Sequence, residues 1–178
     1  MGGGDSSQFT VKGGQDVDRL RKTQDTLVKS ILAVGAIIMA VLLISIFMQV
    51  IFRYVLRRPL SWSEELARFG FVWISMLGAA ATIPKSLTQG IDLLLKKLPR
   101  TVQVISNVAT RILMVLFSLI LVAKGWELTT IVHLQTSAVM GIRMSWVYAS
   151  IPVAAFLMVV ILTLDSLINY NEITMRGS

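Results

Sequence analysis

Hydrophobic and polar positions along this chain segregate into long blocks instead of alternating. Ile31 to Phe52, ILAVGAIIMAVLLISIFMQVIF, carries no charge, and a helix of that length rises roughly 33 Å, slightly more than the hydrocarbon core of a bilayer. Phe69 to Ile83 is shorter, ends at Pro84, and needs part of the preceding SWSEELAR turn to cross. Val104 to Ala123 holds a single charge, Arg111, and Met144 to Leu164 is apolar with Pro152 inside it. The pattern predicts an all-α membrane protein with four transmembrane helices, over 27–56, 66–84, 103–127 and 144–166. A polar tail is expected over 1–26, mobile at its Gly-rich start. A polar and aromatic corner is expected over 57–68, a loop over 128–143 and a second tail over 167–178.

Between the second and third blocks lies SLTQGIDLLLKKLPR. Leu87, Ile91, Leu94, Leu95 and Leu98 fall on one helical face, with Asp92, Lys96 and Lys97 on the other. A helix over 86–99 with that pattern suits the membrane interface better than a crossing, although an ordinary solvated helix carries similar charges.

Composition sharpens this picture. Apolar residues make up 54% and charged residues 15%, well below the quarter or so of charged residues usual in soluble domains. The absence of cysteine excludes disulfides and thiolate chemistry, and the single histidine, His133, excludes bis-histidine ligation. The net charge of +7 sits beside apolar blocks, where it fits a membrane surface and not nucleic acid. Acids occur only in tails, loops or at block edges, so no carboxylate stands mid-membrane to carry a proton. Arg111 must find a partner or snorkel to the interface. With the N-terminus inside, ten Lys and Arg lie on the cytoplasmic side and six opposite, which favours both termini in the cytoplasm. Four of the six dissenters cluster between the first two helices.

That cluster belongs to FRYVLRRPLSWSEELAR, Phe52 to Arg68. Arg53 and Tyr54 end the first helix, Pro59 breaks the chain, and Ser61 or Ser63 can cap the next helix; with Ser61 as cap, Glu64 lies at the capping-box position. Glu64 and Arg68 stand i, i+4 in the favourable order. Glu65 is left to reach back to Arg53 or across to another chain. Trp62, Tyr54 and the arginines fit plain interface anchoring; they also fit a protein-docking corner. Arg57 and Arg58 are candidates for lipid phosphate or for an acidic surface. Ala36 with Ala40, and Ser75 with Ala79, are small-residue pairs that permit close helix approach, within the bundle or to a partner.

QVIFRYVLRRPLSWSEELARFGFVWISMLGAA resembles the signature of the small membrane subunit of tripartite ATP-independent periplasmic (TRAP) transporters, the DctQ type. IDLLLKKLP is similar to that family's segment ending in Leu-Pro, and MGIRMSWVYASIPVAAFLMVV resembles its last helix, with Trp146, Tyr148 and Pro152 in place. The resemblance covers residues 27 to 168 or so. It departs at Gln49, where the family often has Asn, and at Gln89-Gly90, where a His is frequent. These bear on subfamily and substrate.

The resemblance implies a subunit of the bacterial inner membrane with no cofactor of its own and no enzymatic activity. A large DctM-type membrane subunit would carry substrate and the coupling sodium ions, and a periplasmic binding protein would deliver an organic acid such as sialic acid or a C4-dicarboxylate. The small subunit would serve as a fixed scaffold, with phospholipid as a further partner. Arg53, Tyr54, Trp62, Glu64, Glu65 and Arg68 would then form the docking corner. Without the resemblance, the residues leave open a free-standing small transporter or channel, or a membrane assembly factor.

Overall fold

The first three apolar blocks each fold as a helix longer than the block itself, and the fourth folds as two helices in succession. The structure, a computed structural model, describes residues 5–57, 60–89 and 100–176. Helix α1 is Asp5–Tyr54, α2 is Ser61–Gln89 and α3 is Arg100–Ile131. A 3-10 turn, Val132–Leu134, leads through a short loop to α4, Met144–Tyr148, and α5, Ser150–Arg176. Among the described residues, four stretches are long and apolar enough to cross a membrane: Val17–Tyr54, Ser61–Pro84, Ile105–Leu134 and Met144–Asn169.

Several boundaries differ from the sequence expectation, each for a local reason. The polar tail expected over 1–26 is helical from Asp5 onward. Its polar residues bond along the helix: the Thr23, Thr26 and Ser30 hydroxyls donate to the Arg19, Lys22 and Thr26 carbonyls at 2.9, 2.7 and 2.9 Å. Val17 and Gln24 are buried, and Leu27 and Val28 pack against the core, so this segment has an inward face that hydropathy alone understates. At 50 residues, α1 rises about 75 Å, more than twice the hydrocarbon thickness. Helix α2 passes through Pro84 instead of stopping there; a proline removes one backbone hydrogen bond, which transmembrane helices tolerate. Of the expected interfacial helix, Leu87 falls within the backbone of α2, whereas Ile91, Leu94, Leu95 and Leu98 lie outside the described residues.

The fourth crossing is interrupted at Ala149. Pro152 has no N–H to give Tyr148, so the helical ladder breaks one turn before it. The chain closes the gap with Ala149 N–H to the Ser145 carbonyl at 2.9 Å and the Ser150 hydroxyl to the Val147 carbonyl at 2.7 Å. Helix α3 outlasts its predicted end at residue 127 and occupies the start of the expected loop.

The core gathers Ile31 from α1, Leu77, Ala81 and Ile83 from α2, and Ile161 and Leu162 from α5, with Met114 and Val115 of α3 at its margin. Helix α5 touches the other three long helices, while α3 rests on α5 and hardly meets α1 or α2. Helices α3 and α5 approach closely at buried Gly125. A β-carbon there would stand 3.0 Å from Ile151 Cγ2 and from Pro152 Cδ, inside normal contact distance. The outer faces, including Ile37, Phe47, Ile112 and Phe117, are apolar and exposed. Such continuous apolar area is stable against lipid or a second protein.

Candidate docking corner

The corner between α1 and α2 is built by a forced change of direction. Helix α1 ends with the Val55 amide donating to the Ile51 carbonyl at 2.8 Å. Arg57 then takes a left-handed conformation, φ 53°, which costs an L-residue about 1–2 kcal/mol. Arg58 and Pro59 lie outside the described residues. Helix α2 starts at Ser61, and buried Ser63 donates its hydroxyl to the Leu60 carbonyl at 2.7 Å. The expectation that Ser63 caps the helix amides is therefore corrected: its hydroxyl serves as a donor to the entering chain.

Glu65 departs most from its expected place. It reaches neither Arg53 nor outward; it turns into the protein and is 9% exposed. Its Oε2 accepts hydrogen bonds from the Ser137 hydroxyl and from the Met140 amide, the latter at 2.9 Å. Oε1 accepts from the Val139 amide at 3.4 Å, and the Met140 amide also reaches Ser137 Oγ at 3.3 Å. The donors come from a loop 72 or more residues further along the chain. That loop is shaped to present them. Thr136 and Arg143 form an antiparallel bridge, the Ser137 amide donates to the Ile142 carbonyl at 2.8 Å, and the Met144 amide donates to the Gln135 carbonyl at 2.9 Å. Gly141 turns the chain at φ 65°, a conformation glycine adopts without steric cost. Two successive amides and a hydroxyl thus converge on one carboxylate, a small anion nest.

The remaining corner residues face outward. Arg53, Tyr54, Arg57, Trp62, Glu64 and Arg68 are exposed. Glu64 and Arg68 form the expected i, i+4 ion pair at 3.3 Å, which contributes little to stability at such exposure. Being internal to α2, that pair does not tie the first two helices together. Glu65 instead ties the start of α2 to the loop before α4.

A second ionic contact lies near the opposite end of the bundle. Arg111 of α3 pairs with Asp165 of α5 at 2.9 Å, their side chains 24% and 17% exposed. Arg111 thus has the partner its position demanded. The sequence pointed to it weakly, because Asp165 closes the fourth apolar block and reads there as an edge residue. Ser137, Val139 and Met140 were not legible as Glu65 partners; the one local signal was Gly141, a turn residue after Thr-Ser-Ala-Val-Met. The small pairs Ala36, Ala40, Ser75 and Ala79 are exposed, so they are not consumed by packing within the chain.

Residues 42–169 match the family model described as tripartite ATP-independent periplasmic transporters, DctQ component. The chain belongs to the DctQ family. The match contains the whole corner, the Glu65 loop and the Arg111–Asp165 pair, and omits the first 41 residues of the chain. This DctQ chain is 33% identical over 128 residues to the sialic acid TRAP transporter small permease protein SiaQ of Vibrio cholerae, covering 68% of this chain and 70% of that protein. It is 31% identical over 110 residues to the sialic acid TRAP transporter permease protein SiaT of Haemophilus influenzae, covering 62% of this chain. The chain spans only 18% of the length of SiaT. As a DctQ component it is a small permease subunit of a TRAP transporter and not an enzyme.

Proposed function

We propose that this chain scaffolds the large transport subunit of a TRAP-type secondary transporter. The complex takes up an organic acid delivered by a periplasmic binding protein and is driven by sodium bound in the large subunit. The names of SiaQ and SiaT make sialic acid the first substrate to test. Both termini lie in the cytoplasm of a bacterial inner-membrane protein, in keeping with the Lys and Arg distribution. The corner and the Glu65 loop then face the periplasm.

The observation that carries this reading is where the charges in the spanning helices go. Arg111 is paired to Asp165, and Glu65 is held by a hydroxyl and two amides of the chain's own loop. A group that carries an ion across must exchange partners during the cycle; these groups are committed to holding helices in place. The protein's polar capital is spent on rigidity, which is what a fixed element needs when another subunit moves against it. The outward residues Arg53, Tyr54, Trp62 and Arg68 are left to meet the large subunit. Arg57 and Arg58 are left to meet lipid phosphate or an acidic patch on the binding protein. Around exposed Ala36, a shallow groove with Gly35 and Gly78 admits the close approach of another helix.

The test is isolation of the tagged chain from its native membrane in mild detergent, followed by reconstitution. A stoichiometric large polytopic protein should accompany it. Liposomes should take up sialic acid only with both membrane chains, the binding protein and a sodium gradient. Uptake by the chain alone, or a chain that purifies without a partner from several detergents, would overturn the proposal.

A further inference from the structure

Beside the helix break at Ala149, a groove runs down the outside of the molecule between α3 and the α4–α5 stretch. Its upper part, about 410 Å³, is lined by His133, Ser145 and Trp146 among others. Its lower part, about 350 Å³, passes Trp126, Val153 and Phe156. Thr129 and Ala149 line both, so the two parts are continuous. From Ile131 at the top to Val122 at the bottom the groove descends roughly 13 Å at 1.5 Å per residue. Its upper end coincides with the ends of two spanning segments, at Leu134 and Met144, and so lies at headgroup depth.

The chemistry of the groove changes along its length. Thr129 and Thr130 donate their hydroxyls to the Gly125 and Glu127 carbonyls of their own helix at 2.7 Å each, so the wall they form is effectively apolar. At the mouth, the Arg143 guanidinium contacts His133 Nε2 at 3.2 Å. With Nε2 accepting that bond, the imidazole N–H at Nδ1 remains a donor. Among the described residues no carboxylate pairs with Arg143: Glu127 is bound to Lys124 at 2.7 Å, and Glu65 is enclosed by its loop. A cation therefore stands at the interface above an apolar channel, with exposed Trp126 and Trp146 beside it. Its complement is a single amphiphile with an anionic head and a hydrocarbon tail.

We propose that this groove binds one membrane phospholipid, its phosphate on Arg143 and His133 and one acyl chain along Ala149, Val153 and Phe156. The site belongs to this chain alone and does not depend on the transport reading. The full chain, purified and stripped of lipid in detergent, is titrated with phosphatidylglycerol, and bound lipid is counted by native mass spectrometry. One tightly held lipid should saturate the wild type. Arg143→Ala should bind it about tenfold more weakly, the effect of losing one charge-assisted contact. Val153→Trp should abolish the site; Val153 is 43% exposed, so the added bulk enters the groove and not the core. Unchanged thermal unfolding of both variants shows that the fold is intact. Equal lipid affinity in all three proteins, or graded uptake of many equivalent lipids, overturns the proposal. So does release of the lipid when a permease partner binds, because the groove would then be the seat of a partner helix.

Discussion

Replacing Asp165 by leucine removes the acid that holds Arg111 and keeps the number and branching of the side-chain heavy atoms. At the observed 2.9 Å, two unit charges attract by about 6 kcal/mol at an effective dielectric constant near 20. Most of that gain is offset by taking both groups out of water. The informative quantity is therefore the asymmetry among variants. Asp165→Leu leaves a cation 24% exposed among apolar helices. It should destabilise by about 2–3 kcal/mol, somewhat under the 3–5 kcal/mol of a fully buried pair, because an arginine one to two turns inside the spanning stretch that starts at Ile105 can snorkel. Arg111→Met with Asp165→Leu should recover stability to within about 1 kcal/mol of wild type, since no unpaired charge remains. The four proteins of the cycle are unfolded in mixed detergent micelles and followed by tryptophan fluorescence. A coupling energy of at least about 1.5 kcal/mol is expected. A coupling near zero, with Asp165→Leu within about 0.5 kcal/mol of wild type, would show that the pair behaves as an exposed one and would refute its role as a helix lock.

Three further outcomes follow from the geometry. Glu65→Gln keeps the shape of the side chain but turns one acceptor into a donor facing Ser137 and Met140, so hydrogen exchange at residues 137–142 should quicken about tenfold or more while α1 and the core stay protected; unchanged exchange would mean the loop holds its own shape. Gly125→Ala places a methyl 3.0 Å from Ile151 and Pro152, and the resulting overpacking should exceed the helix-propensity gain by about 1 kcal/mol, whereas Gly78→Ala meets open space and should stabilise by up to about 1 kcal/mol. Thermal unfolding of the purified chain separates the two, and the same sign for both would contradict the packing described. Arg57→Gly relieves the left-handed strain at φ 53° and should raise the unfolding midpoint slightly, by about 1 kcal/mol or less after the entropy of glycine is counted; a lower midpoint would show that the Arg57 side chain itself stabilises the corner.

The parts of this molecule legible in its sequence are those governed by local rules. Four apolar blocks announce four spans, because backbone groups in lipid must be satisfied within a helix. The Glu64–Arg68 pair follows from a spacing of four on one helix, and the need of Arg111 for a partner follows from its depth. The illegible parts depend on residues far apart in the chain. Glu65 sits beside Trp62 and Arg68 in sequence and reads as one more surface charge; only the fold brings Ser137 and Met140 to it. The inward face of the helix before Ser30 was hidden because Val17, Gln24, Leu27 and Val28 are diluted among charges. Pro152 stands in plain view inside the fourth block, but the block reads in sequence as one helix over 144–166; the break falls at Ala149, where the missing hydrogen bond is felt.

The long-range closure at Glu65 also orders the birth of the protein. A chain emerging during synthesis delivers α1 and α2 to the membrane well before residues 137–140 exist. In that interval Glu65 lacks the hydroxyl and amides that later surround it, and the start of α2 must stay near the watery surface, where a bare carboxylate is tolerated. Only when α3 and the α4–α5 stretch have inserted can the loop fold over the carboxylate and let the corner settle. A product truncated after the second crossing keeps an uncovered acid at its membrane edge, a mark by which cellular quality control could distinguish unfinished chains from finished ones.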